Sequence, residues 1–206
     1  NDDADFRIVY PDSFIFKGVK YDIVSNLIGS HYVSNIVGAI AIAYLNGIEI
    51  NNSLEAIKSF PGVKRRTEYL GTVSGVNIYD DYGHHPTELE ATIKALKEYT
   101  QGKLYVIFQP HRYTRTKNSF NEFKKELSKS DFTIVVDIYP AGETPIPGIT
   151  SKNFEMENIK YLKSMRMIPS YLSTRVKEND TILTLGAGDI TLLGPKILKY
   201  LDEKKN

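Results

Sequence analysis

The 206-residue chain contains no cysteine, which excludes disulfides and thiolate metal sites. It has no apolar run near the roughly 20 residues of a membrane span, and its first residues do not read as a signal peptide. A cytoplasmic protein with no membrane partner is therefore expected. Charge of one sign is also missing. Lys and Arg total 26 against 25 for Asp and Glu, a formal net charge of +1, so no general attraction to nucleic acid is implied. There is no internal repeat and no low-complexity linker. The chain opens on Asn1, not Met, and runs at once into a strand-like stretch, so a fragment of a longer protein is expected.

Two grammars divide what is present. Residues 1–23 alternate apolar and polar through Phe6, Ile8, Tyr10, Phe14, Phe16, Val19, Tyr21 and Ile23. Breaks at Pro11-Asp12 and Lys17-Gly18 predict antiparallel strands joined by hairpins. Val33, Ile36, Val37, Ile40 and Tyr44 then follow helical spacing until Asn46-Gly47. Ser53 is expected to cap a second short helix that ends at Phe60-Pro61-Gly62.

After the basic cluster Lys64-Arg65-Arg66, strand and helix alternate. Strands are expected at Val76–Tyr79, Leu104–Phe108, Phe132–Val136, Ile159–Leu162 and Thr181–Leu185. Helices are expected from Pro86, around Phe120–Leu127, near Pro169–Val176, and over Ile190–Ile197. Nearly all-apolar strands alternating with helices imply an α/β fold, a Rossmann-like and mostly parallel sheet with helices on both faces. The expected units are residues 1–65 and residues 66–206.

In such sheets ligands bind beyond the carboxyl ends of the strands, and the unusual polar residues gather there. Asp80-Asp81-Tyr82-Gly83-His84-His85 follows one strand and Gln109-Pro110-His111-Arg112-Tyr113-Thr114-Arg115 the next. Asp137 and Glu143 follow the third; Gly186-Ala187-Gly188-Asp189 follows the last. The Asp-His string suits a metal site, a ribose-binding carboxylate, or simple helix entry before Pro86. His111, Arg112 and Arg115 suit an anion site, with arginine forks and free helix N–H groups near Thr114; the alternative is surface ion pairing, worth little. Gly186-Ala187-Gly188 lacks the third glycine of a dinucleotide fingerprint, and tight-turn packing is favoured. His31 and Asn35 share a helix face, which alone favours capping and packing.

The strings Tyr79–Glu88, Phe108–Arg115 and Pro145-Ile146-Pro147-Gly148, with Gly186–Ile190, closely resemble the Mur ligase family, and within it the members that join L-alanine to UDP-N-acetylmuramate. His31 to Asn35 resembles the family's histidine-to-asparagine helix in the central ATPase domain, and Phe60–Arg66 its crossing into the C-terminal domain. The resemblance implies that residues 1–65 are the tail of the central domain and 66–206 the C-terminal domain. It implies ATP contacts from His31, Asn35, Arg66 and Asp81, with Asn35 on adenine, Arg66 at the phosphates and Asp81 at the ribose. Tyr82, His84, His111, Arg112 and Arg115 would line the place where alanine meets an acyl phosphate. Of these, His84, His111 and Arg112 would be catalytic, and Tyr82, Arg112 and Arg115 would bind substrate. ATP and Mg2+ would serve the intact enzyme, and no metal ligand is expected in this chain. The sequence holds no Gly-x-x-Gly-Lys-Thr phosphate loop, so the chain alone is expected to bind no cofactor and ligate nothing until joined to its N-terminal and central domains. Two rivals remain: a ligase that attaches recycled tripeptide to UDP-N-acetylmuramate, and a non-catalytic anion- or nucleotide-binding module.

Overall fold

The computed structural model describes residues 4–204. Two compact units divide between Gly62 and Val63, three residues before the expected boundary.

In the first unit, β1 (Phe6–Val9), β2 (Ser13–Phe16) and β3 (Val19–Asp22) form an antiparallel sheet in sequence order. The expected turn at Lys17-Gly18 has both residues at positive φ, 48° and 77°, the geometry that suits the twist of a two-residue hairpin. Helix α1 (Ser30–Leu45) buries Val33, Ile36, Val37 and Ile40, the stripe its spacing demands. Helix α2 spans Ile50–Ser59. The expectation for Ser53 was wrong: it lies inside α2, and Glu49 stands at the N-cap. Phe14, Phe16 and Ile23 join the α1 stripe in one core.

The second unit is built on a six-stranded sheet. Its strands are β4 (Glu68–Val73), β5 (Val76–Asp81), β6 (Leu104–Phe108), β7 (Phe132–Val135), β8 (Ile159–Tyr161) and β9 (Thr181–Leu185), in the order β4-β5-β9-β6-β7-β8. Only the β4–β5 pair is antiparallel; the rest run parallel. Strand β4 was not anticipated. Gly71 and a register shift between Tyr69 and Gly71 break its alternation, which removes the period that marks a strand.

The helices are α3 (Pro86–Tyr99), α4 (Tyr113–Asn118), α5 (Phe120–Leu127), α6 (Ile168–Ser173) and α7 (Leu193–Glu203). Successive strand residues point to opposite faces. Ile78, Ile107, Ile134 and Ile182 pack with Ile168 and Leu172 of α6 and with Leu193 and Ile197 of α7. Phe108 faces the other way, its ring 5.4 Å from that of Phe123 in α5. The chain thus leaves β6 toward one face and β9, its neighbour, toward the other. A crevice outside the carboxyl ends is expected where connections diverge in this way.

Candidate functional site at the carboxyl rim of the sheet

Three strands end level at this rim. Asp81 pairs in register with Leu185, and Leu185 with Phe108. The loops after β5 and β6 therefore leave the sheet at the same edge, separated only by β9.

Asp80 and Asp81 are strand residues, not helix-entry residues, and they point to opposite faces. Asp80 is 1% exposed. Its Oδ1 accepts from the Thr184 hydroxyl at 2.6 Å, and its Oδ2 from the Thr191 hydroxyl at 2.7 Å. Arg65 Nε lies 3.4 Å from the same Oδ2. Asp81 is 3% exposed. Its Oδ2 accepts from the Thr67 backbone N–H at 2.7 Å, its Oδ1 from that of Gly83, also at 2.7 Å. Burial pushes the Asp81 carboxyl above its usual range, against the lowering effect of the Thr67 and Gly83 N–H groups and of Arg66. Among the described residues no group of three or more His, Asp or Glu is placed to hold a metal ion.

The helix-entry role falls to Glu88. Its Oε2 accepts from the backbone N–H of His84 at 2.9 Å and of His85 at 3.2 Å, closing the first turn of α3 as an acidic residue there should. Burial alone would raise the Glu88 carboxyl, but the His84 N–H and ring, the His85 N–H and Arg66 together hold it below its usual value.

The two histidines meet. The His84 and His111 rings lie 6.0 Å apart between centroids, and the Tyr82 ring stands edge-on to His84 at 5.2 Å. His84 Nδ1 is 3.1 Å from the Tyr82 carbonyl oxygen. A carbonyl only accepts, so Nδ1 carries the proton and Nε2 keeps its lone pair in the neutral ring. His111 has the opposite arrangement. Arg115 Nη1 lies 3.4 Å from His111 Nδ1, and a guanidinium only donates, so the neutral ring carries its proton on Nε2. Burial, then Arg115, His84 and Arg112, push the His111 pKa down. The Tyr139 ring stacks on His111 at 5.5 Å and 12°.

Arg112 turns the chain into α4 at φ 72°, and its backbone N–H donates to Tyr139 O at 2.8 Å. The free helix N–H groups expected near Thr114 are not free. Glu143 takes the Thr114 N–H at 3.0 Å and the Thr114 hydroxyl at 2.6 Å, and these bonds hold its carboxyl below the usual range. Side-chain donors are what this loop leaves for an anion.

Gly186-Ala187-Gly188 is a packing turn. A Cβ on Gly188 would lie 2.3 Å from Gln109 Oε1, and one on Gly186 would lie 2.7 Å from Gln109 O. Gln109 locks the turn, donating to Asp189 Oδ1 at 2.7 Å and accepting from Ile190 N–H at 3.1 Å. The Arg66 guanidinium lies 5.9 Å from the Tyr82 ring centre and 3.7 Å from Glu88 Oε1.

His31 and Asn35 belong to the first unit. Burial lowers the His31 pKa, and its ring lies 4.2 Å from that of Tyr32; Asn35 is exposed. Sequence reasoning missed Arg65, Thr67, Tyr139 and the capping role of Glu143. Arg65 is indistinguishable from Arg66 within a basic cluster, and the others carry no motif.

Residues 65–188 match the family described as Mur ligase, glutamate ligase domain. The UDP-N-acetylmuramate--L-alanine ligase of Geotalea daltonii is 40% identical over 97% of this chain. The chain spans only 47% of that protein, and so under half of its length. The solved UDP-N-acetylmuramate-alanine ligase from Thermotoga maritima superposes with a TM-score of 0.75, at 23% identity, over 92% of this chain and 41% of that one. A murein peptide ligase from Psychrobacter arcticus gives 0.65 at 22% identity, over 98% and 45%; at such identities these two likenesses speak for the fold alone. The rim geometry, the sheet order and the family match agree, and the chain belongs to the Mur ligase family through its glutamate ligase domain.

Proposed function

We propose that this chain is the C-terminal part of a cytosolic ATP-dependent amide ligase that joins L-alanine to UDP-N-acetylmuramate in building peptidoglycan precursors. The observation that carries this reading is the approach of His84 and His111 to 6.0 Å across the rim, with Arg112 at the N-cap of α4 and Arg115 within that helix, which follows His111.

In such a ligation the sugar carboxylate is activated as an acyl phosphate, the amine of alanine attacks its carbonyl, and phosphate leaves. Negative charge sits on oxygen throughout, which preorganised donors stabilise. Arg112 and Arg115 take the alanine carboxylate and so orient its amine. His84 Nε2 has the lone pair needed to accept the amine proton, while the Tyr82 carbonyl holds its ring in place. His111, kept neutral, presents an Nε2–H donor toward oxygen. Arg66 reaches the nucleotide phosphates from the rim. Asp81 meets the ribose through the acceptor capacity left on Oδ1, which takes one hydrogen bond from the chain. The first unit reads as the tail of a central ATPase domain, in which His31 and Asn35 serve ATP, Asn35 at the adenine.

The described residues do not fit a magnesium ion. No group of three or more His, Asp or Glu among them is placed to hold one, and magnesium in the intact ligase would arrive with the ATP phosphates.

Steady-state assays of the full-length protein with L-alanine against the tripeptide test the reading. A kcat/KM that favours L-alanine is expected; a preference for the tripeptide overturns it in favour of the recycling ligase.

A further inference from the structure

Arg65 lies outside the substrate and nucleotide roles given above, yet it touches several parts of the rim. Its Nη2 donates to Gly186 O at 2.7 Å and approaches Gly188 O at 3.4 Å. Its Nε faces buried Asp80 at 3.4 Å. Its guanidinium lies 4.7 Å from the centre of the Tyr82 ring, within the range of a cation–π contact. The backbone is tied in as well. Arg65 N–H donates to Glu68 Oε2 at 2.7 Å, and Arg65 O accepts from Tyr82 N–H at 2.7 Å. The residue holds φ 59°, a left-handed conformation that few non-glycine residues adopt.

One planar group thus joins three segments that diverge from the sheet: residues 63–67 before β4, the turn after β5, and the glycine turn after β9. We propose that Arg65 is a positioning residue that sets the Tyr82 ring over the amino-acid site by bracing it against the Gly186–Gly188 turn and Asp80. The proposal rests on the reading that Tyr82 lines that site. Arginine suits this place because its planar fork can reach two carbonyls while its flat face supports an aromatic ring, a combination that a compact lysine ammonium does not reproduce.

The test uses Arg65→Lys, which keeps a cation beside Asp80 and so keeps the protein folded, along with Tyr82→Leu and the double variant, all in full-length protein. Arg65→Lys is expected to raise the KM for L-alanine by about tenfold, since small misplacements of a reacting group are costly, while leaving the KM for ATP within about twofold. The double variant should be no worse than Tyr82→Leu alone, because residues that act through one another are not additive. Amide exchange at Gly186 and Gly188 should quicken in Arg65→Lys. An unchanged KM for L-alanine with unchanged exchange overturns the bracing role. Faster exchange with an unchanged KM, accompanied by a silent Tyr82→Leu, overturns instead the reading that this rim holds the amino acid. Effects of the two substitutions that multiply overturn the claim that Arg65 acts through Tyr82.

Discussion

Asp80 and Asp81 look equivalent in the sequence and do different work because a strand turns adjacent side chains to opposite faces. Placing the strand end at Tyr79 hid this; β5 runs on to Asp81. Asp80 compensates Arg65 and satisfies two threonine hydroxyls in a buried site. Asp80→Ala should therefore destabilise the second unit by about 3 kcal/mol, the usual cost of leaving one partner of a buried ion pair alone. Urea unfolding measures this. His111 carries a pH signature. Its pKa is lowered from 6.5 in the folded protein, so the unfolded chain binds the proton more readily. Stability then rises with pH between the folded pKa and 6.5 and falls as the pH drops through that window. His111→Gln should flatten the loss of melting temperature from pH 7 to pH 5.5. Glu88 acts lower, below its ordinary value of 4.5, and does not confuse the comparison.

The 3.6-residue pattern located every helix of eight or more residues among the described ones, because burial of one face imposes that period, and largely apolar runs located all the parallel strands, most of which are buried on both faces. Elements with broken patterns escaped. Strand β4 carries Gly71 at φ 144° and a bulge; α4, expected only as a helix start near Thr114, is a separate six-residue helix before α5. The glycine turn after β9 was legible as packing, because its spacing lacks a dinucleotide fingerprint. Gly188→Ala tests that reading. The added Cβ must displace Gln109 Oε1 and the Tyr139 ring, whose Cγ would be 2.7 Å away. A loss of about 1–3 kcal/mol is expected, as for other overpacked sites, and thermal unfolding reads it out.

For the whole chain, the sheet order mattered most and was the least legible. Insertion of β9 between β5 and β6 is a long-range pairing that no local pattern encodes, yet it levels the three strand ends and so brings the Asp-rich and Arg-rich loops to one rim. The residues of each loop were visible as motifs; their meeting was not. This sequence contains no Gly-x-x-Gly-Lys-Thr loop, so under the proposed reading the rim does not catalyse ligation by itself. The isolated chain, given ATP, UDP-N-acetylmuramate and L-alanine, is expected to release no phosphate above background in a colorimetric assay.

The account depends on the loop after β6 supplying the cationic grip for the amino acid. The most direct measurement is the KM for L-alanine of full-length Arg112→Ala and Arg115→Ala proteins, with the KM for ATP as the internal control. Loss of a charge-assisted pair worth about 1.5–3 kcal/mol predicts that the KM for L-alanine rises by at least about tenfold in each, with the KM for ATP nearly unchanged. Wild-type KM values for L-alanine in both variants would contradict it.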